Sequence, residues 1–297
     1  MHTRESSEER GIRLLLAGLA SCSLLALLGI MAFLFAEGLP LFAQYAPKDF
    51  FFGALWYPTA EPPDFGIFPL IAGSLSVMLL SACIAVPLGV LTAAYLTEIA
   101  ASGVRRIVKP FIELLAALPS VVIGFFGMVV VAPLLQESFE LSTGLNLFNA
   151  ALMLAFMSVP TICSVAEDAI FAVPRALREA SLALGATRWE TTIKVVLPAA
   201  LSGIGTAVML GMSRAIGETM VVLMVAGGAA ISPGSVFDPV RPMPASIAAE
   251  MAEAPFRGEH YHALFATGLV LFLCTLCFNM LAHHISEKYK QVGSSSL

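Results

Sequence analysis

The chain has 297 residues, 58% of them hydrophobic and 12% charged, with a mean hydropathy of +0.86. A soluble domain carries about 45–50% apolar and about 25% charged residues. These figures exclude a water-soluble globule, a disordered chain, a collagenous repeat and a small disulfide scaffold. A formal net charge of −5 also excludes a basic nucleic-acid binder, which leaves an integral membrane protein.

Spanning strands alternate apolar and polar residues over about 10 positions, whereas spanning helices need about 20 mostly apolar ones. Six stretches are of the second kind, at about 13–36, 67–97, 108–135, 148–172, 200–230 and 263–285. Lipid offers no hydrogen-bond partners, so each must satisfy its own backbone as a helix. The expected fold class is an all-α integral membrane protein with six transmembrane helices. Glu113 and Pro119 interrupt the third stretch.

The first stretch contains Leu19-Ala20-Ser21-Cys22, which resembles a lipoprotein processing site. The apolar run continues to Phe35, beyond the about 7–15 residues of a signal h-region, so a retained anchor is expected. The following loop, about 37–66, combines Pro40, Pro47, Pro58, Pro62 and Pro63 with Trp56 and Tyr57, a structured loop with interfacial aromatics. A second loop on the same side, about 231–262, holds Pro233, Pro239, Pro242, Pro244 and Pro255. Gly293-Ser294-Ser295-Ser296 reads as a flexible end.

Basic residues fix the expected orientation. Arg4, Arg10 and Arg13 precede the first helix, and Arg105, Arg106 and Lys109 lie between the second and third. Arg175, Arg178, Arg188 and Lys194 lie between the fourth and fifth, and Lys288 and Lys290 follow the sixth. Twelve of the 16 basic residues thus share one side, which the positive-inside rule makes cytoplasmic, with both termini.

The five cysteines all fall in apolar stretches, and Cys274 and Cys277 read as small packing residues of a helix rather than a redox pair. His260 and His262, and His283 and His284, lack the convergent acidic or thiol ligands of a metal site. Glu113 follows Lys109 by four residues, so a local ion pair is expected there. Glu167 and Asp168 read as interfacial.

The loop between the fourth and fifth helices carries the strongest motif. Its first part, from Glu179 to Leu184, favours a short helix, and Gly185 is a natural stop. Trp189, Ile193, Val196 and Leu197 then share one face of a second helical segment before Pro198. A protruding helical pair of this kind suits insertion into a cleft on a cytoplasmic partner. Glu179, Ala180, Gly185, Leu197 and Pro198 match, position for position, the Glu-Ala-Ala…Gly…Ile-x-Leu-Pro signature. Ser181 replaces its second alanine and Val195 its isoleucine. The loop thereby resembles that of the membrane subunits of ATP-binding-cassette importers, where this segment couples the ATPase to the membrane.

The fifth stretch holds Arg214 and Glu218 deep in an apolar run, where charges are costly and usually face a bundle interior or a water-filled path. Four residues apart on a helix, the two could neutralise each other. Gly203, Ala207, Gly211 and Ala215 form a small-residue stripe beside them, a plausible contact for a second subunit. Arginine's planar fork matches the oxygens of phosphate or sulfate. Ser213-Arg214-Ala215-Ile216-Gly217-Glu218-Thr219-Met220, with Met224-Val225-Ala226-Gly227, resembles the permeases of phosphate importers, more closely their C-type. Trp56-Tyr57-Pro58, Lys109-Pro110-Phe111-Ile112-Glu113 and Leu118-Pro119-Ser120 are similar to the same type.

This resemblance implies a type-1 (MetI-like) permease of the bacterial inner membrane, importing inorganic phosphate by alternating access. It implies three regions: residues 1–66 as tail, first helix and outer loop; 67–286 as the permease domain, with the coupling loop at about 175–198; and 287–297 as a cytoplasmic tail. Partners would be a second, A-type permease, two ATP-binding subunits and an external phosphate-binding protein. No Gly-Lys pair occurs, so the phosphate-binding loop of an ATPase is absent. No cofactor is expected in this chain, and ATP and Mg would bind the partner ATPase. An importer of sulfate or molybdate, and an ion-gradient-driven anion carrier, are the alternatives. A membrane enzyme is disfavoured, since no nucleophile–base set stands out.

Overall fold

The computed structural model describes residues 7–294; Arg4, Ser295 and Ser296 lie outside them. Helix α1 (Ser7–Gly38) leads through a 3₁₀ turn to α2 (Pro47–Phe52) and a two-strand hairpin, β1 (Trp56–Tyr57) and β2 (Asp64–Phe65). Trp56 lies opposite Phe65 in its antiparallel register. Helix α3 (Phe68–Ala94) ends in a wide π-turn, Tyr95–Ile99. Helices α4 (Ser102–Ala116), α5 (Ser120–Phe126) and α6 (Ala132–Ser138) follow, with a π-turn at Gly127–Val131 joining the last two. Next come α7 (Leu147–Phe171), α8 (Arg175–Ala183), α9 (Arg188–Thr191) and α10 (Leu197–Ala199), the last two joined by a π-turn at Thr192–Val196. The chain finishes with α11 (Leu201–Ile216), α12 (Met220–Val225), α13 (Met243–Glu250) and α14 (Glu259–Ser294).

Among the described residues, five helical segments are long and apolar enough to cross a membrane: Gly11–Ala43, Phe68–Ile99, Ser120–Ser138, Leu147–Phe171 and Glu259–Leu281. A sixth arises when Arg188–Ala199 and Leu201–Ile216, bent by 70°, are taken as one span. The six-helix expectation is met on that count. Two stretches differ from it in form. The third span begins at Ser120 rather than near 108, because Pro119 takes an extended ψ of 136° and separates it from α4. Helix α4 is therefore a separate amphipathic helix, with Val108 and Ile112 on the core and Ile107, Phe111 and Leu114 exposed. The fifth stretch is broken at Gly217–Thr219 and again at Ala200. At the other end of the chain α14 extends through Gly293 to Ser294, and Ser295 and Ser296 of the expected flexible end lie outside the described residues.

Helix α7 is the axis of the bundle, packed between α3 and α11. Its Ile162, 1% exposed, is wedged between Gly89 of α3 and Gly211 of α11. A Cβ at Gly89 would lie 2.8 Å from the Ile162 side chain, and one at Gly211 would lie 2.5 Å from it. A Cβ at Gly203 would meet Ala169 at 2.4 Å. The small-residue stripe of α11 is thus consumed by α7 of the same chain, which corrects its expected role as a contact for a second subunit. Small residues draw two backbones together wherever they meet, and here the meeting is internal.

The π-turns at Tyr95–Ile99 and Thr192–Val196, the break at Pro119 and the basic loops gather at one end of the bundle, hereafter the arginine-rich end, whereas the π-turn at Gly127–Val131 lies within its span against Asn149 and Met153 of α7. At the opposite end the two proline-rich loops fold onto each other. Leu41, Phe50, Trp56, Phe65 and Ile67 from the first pack with Met243 and Leu264 from the second and from α14. Gly53 and Gly66 touch backbone to backbone, where a Cβ on either would fall within 2.7 Å of the other. Helix α1 joins this assembly through α14, with Phe33 edge-on to Phe265 at 5.4 Å, and its leucines are exposed along most of its length.

Candidate translocation path and coupling loop

Helix α11 has 16 residues and rises about 24 Å, which places Arg214 well along it from the arginine-rich end. The helix ends at Ile216, and Gly217, Glu218 and Thr219 are non-helical before α12 begins. Arg214 and Glu218 accordingly do not share a helix face, and no ion pair joins them among the described residues. The expected i, i+4 pair fails because the helix stops between its partners. Glu218 instead turns forward, its Oε1 accepting from the backbone N–H of Val221 at 3.4 Å in the first turn of α12. Arg214 is exposed on the surface of the single chain, while its neighbours Ala215 and Ile216 are buried. An exposed cation at this depth cannot be left facing hydrocarbon; it calls for a water-filled path or a partner surface.

Beyond α12 the chain turns through Gly227 and Gly228, at φ +90° and +71°. A Cβ at Gly227 would collide with the Leu145 carbonyl at 2.5 Å, so this position has both a conformational and a steric reason for glycine. The Gly228 carbonyl accepts from Arg241 Nε at 2.6 Å, and Arg241 Nη1 donates to Glu250 Oε1 at 2.7 Å. Glu250 is the hub of the opposite end. It also accepts from Trp56 Nε1 at 3.0 Å and Ser246 Oγ at 3.1 Å, and contacts His260 Nε2 at 2.9 Å. Both proline-rich loops and the start of α14 are tied to one carboxylate. Sequence reading missed this hub, because Glu250 stands close to Glu253 in the second proline-rich loop and its partners Trp56, Arg241 and His260 come together only through the fold.

The coupling-loop residues form a hairpin at the arginine-rich end. Helix α8 stops at Ala183, and Gly185 takes φ +86°, which bears out the expected stop. Thr187 and Glu190 then form a capping box, with Glu190 N–H donating to Thr187 Oγ1 at 3.2 Å and Thr187 N–H donating to Glu190 Oε2 at 3.0 Å. Ser181 Oγ and Thr191 Oγ1 lie 2.9 Å apart and tie the two arms. Glu179, Ala180 and Gly185 are exposed, Leu197 is half-buried and Pro198 is exposed. The tip is apolar and open to contact: Leu184 is 90% exposed and Trp189 59%. The expected single face of Trp189, Ile193, Val196 and Leu197 is corrected. Trp189 and Ile193 point outward while Val196 is buried, because the π-turn at Thr192–Val196 resets the register between them.

Ion pairs fasten this end. Glu167, 2% exposed, accepts from Arg105 Nη2 at 2.6 Å and lies 3.3 Å from Lys109 Nζ. Lys109 thus pairs across to α7 rather than locally with Glu113, since a buried carboxylate binds a cation more strongly than an exposed neighbour does. Arg178 Nη2 donates to Glu98 Oε1 at 2.9 Å. Among the described residues no group of three or more His, Cys, Asp or Glu could hold a metal ion.

The described residues thus form a broken-helix bundle of up to six candidate membrane spans with an exposed apolar hairpin at one end. The family model described as the binding-protein-dependent transport system inner membrane component matches residues 85–291. The chain belongs to this family, the permease subunits of ABC importers. It is 38% identical over 97% of its length to a probable ABC transporter permease, YqgH, of Bacillus subtilis, covering 93% of that protein. It is also 38% identical to the phosphate transport system permease protein PstC of Pasteurella multocida, over 77% of each chain. Among solved structures, a chain of a bacterial alginate ABC transporter aligns with a TM-score of 0.65 over 96% of this chain and 98% of its own, at 18% identity. A chain of the MetNI methionine transporter aligns at 0.57 over 75% and 94%, at 21% identity. These last two share the type-1 permease fold.

Proposed function

We propose that this chain is the C-type permease subunit of an ATP-driven phosphate importer of the bacterial inner membrane. The observation that carries the reading is the exposed Arg214 at the break between α11 and α12, in a chain similar to phosphate permeases. Arg214 and Glu218 line the substrate path, where a second, A-type permease completes the wall. The guanidinium binds two phosphate oxygens through its fork. Glu218 accepts a hydrogen bond from the proton that phosphate retains near neutral pH and repels fully ionised sulfate, so discrimination comes partly from repulsion.

Both termini and the arginine-rich end are cytoplasmic, as the distribution of Lys and Arg supports. Glu179, Ala180, Ser181, Gly185, Leu197 and Pro198 build the hairpin that docks on one of two ATP-binding subunits. Those subunits bind ATP and Mg, and this chain makes no covalent bond during transport. The opposite end, with its Glu250 hub, receives an external phosphate-binding protein. Uptake of radiolabelled phosphate by vesicles holding the assembled complex tests the reading. It should require ATP and resist an excess of sulfate or molybdate; competition by either anion, or uptake driven by an ion gradient without ATP, would displace it.

A further inference from the structure

We propose that Arg178 is the positioning residue through which the coupling hairpin moves the membrane helices, acting as a pin between α8, α3 and α7. The proposal rests on the reading of residues 175–198 as the ATPase-coupling hairpin. Helix α8 contributes no buried residue, so apolar packing holds it only loosely to the bundle. The second arm of the hairpin is anchored by buried Thr191, Thr192 and Val196, so it is α8 that needs another connection to the spans, and Arg178 makes one. Its Nη2 donates to Glu98 Oε1 at 2.9 Å and to the Ile170 carbonyl at 2.8 Å, and its Nη1 donates to the Val173 carbonyl. One planar group thus grips the end of α3 and the end of α7 together.

The geometry of each contact has a local cause. The Ile170 and Val173 carbonyls are at the C-terminal end of α7, where the helix dipole favours a cation. Glu98 lies in the π-turn Tyr95–Ile99, closed by the Ala100 N–H donating to the Tyr95 carbonyl. Glu98 is 13% exposed and Arg178 19%, so water screens the pair little. One helical turn back on α7, Arg105 and Lys109 of α4 hold Glu167. Four elements at this end are therefore linked by charged contacts, and Arg178 alone belongs to the hairpin.

The test uses the whole complex reconstituted with its ATPase and binding protein, carrying Arg178→Lys or Glu98→Gln. Lysine keeps the charge but loses the fork, and glutamine keeps the size but loses the charge. Both variants should co-purify with the ATPase as the parent does and hydrolyse ATP, while phosphate taken up per ATP falls about tenfold, the loss expected from one charge-assisted hydrogen bond. An unchanged ratio, with uptake and hydrolysis falling together or not at all, would make the pin merely structural and overturn the proposal. Trp189→Ala, at the exposed tip, is the separate control. If it docks and couples as the parent does, the coupling-hairpin reading itself fails, and the pin fails with it.

Discussion

Arg214 and Glu218 are four residues apart in the chain and yet are not partners, because α11 ends between them and Glu218 is turned to the first turn of α12. A charged residue in an apolar span usually faces a bundle interior or a water-filled path. The break at Gly217–Thr219 also exposes backbone groups that an unbroken helix would have used internally, a pattern associated with substrate sites in membrane transporters.

Glu218 should govern selectivity more than rate. Glu218→Gln removes the repulsion of doubly charged anions and keeps the side chain's size. Phosphate uptake should continue with a changed pH profile, and sulfate should become a competitor. Measuring phosphate uptake against graded sulfate checks this; parental selectivity in the variant would remove Glu218 from the path.

Gly185 has a conformational role. At φ +86° an alanine is strained by about 1–2 kcal/mol, and proline, locked near −65°, cannot adopt the turn at all. Gly185→Pro should weaken co-purification with the ATPase while the protein still inserts in the membrane, with Gly185→Ala intermediate. Pull-down of the ATPase with each variant reads the order.

Packing around Ile162 predicts a stability effect. Gly211→Val places new carbons where the Ile162 side chain already lies, an overpacking that costs about 1–3 kcal/mol. Ile162→Ala in the same chain should partly restore the loss by opening space. Thermal unfolding of the detergent-solubilised protein compares the single and double variants, and additive losses would contradict the wedge.

The Glu250 hub predicts that the two proline-rich loops are one unit. Glu250→Ala leaves the Arg241 and Trp56 donors without their shared acceptor, a cost of about 2–3 kcal/mol. Limited proteolysis should then cut both loops faster, not one alone. Faster cleavage of a single loop would mean that the hub does not join them.

Hydropathy was sufficient for the straight spans. The stretches at 67–97 and 148–172 match Phe68–Ile99 and Leu147–Phe171 closely, because a long apolar run has only one way to satisfy its backbone in lipid. Pro119 announced the break in the third stretch, though not that α4 would become a separate amphipathic helix. The break at Gly217 was harder to read, since Gly217-Glu218-Thr219 interrupts the helix with no proline and within an apolar context. Charge pairing was the least legible feature. Lys109 prefers Glu167, and Arg178 reaches Glu98, across sequence distances that only the packing of α3, α4, α7 and α8 creates. Periodicity assigned Val196 to the face of Trp189, and a single π-turn was enough to separate them.

The orientation of the termini can be read by single cysteines at Pro62 and Arg188 in a background without the native cysteines. An impermeant thiol reagent outside the cell should label the first and not the second. Labelling of both from the same side would invert or abolish the topology that the basic residues suggest.

The central claim is that Arg214 receives the anion. The most direct measurement is phosphate uptake by the fully assembled complex carrying Arg214→Gln, beside Arg214→Lys and the parent. With assembly and ATPase docking intact, the glutamine variant should transport no phosphate, and lysine should restore only a small part, because charge without the fork loses bidentate geometry. Uptake by Arg214→Gln at the parental rate would contradict the account and leave Arg214 as a packing residue at the subunit interface.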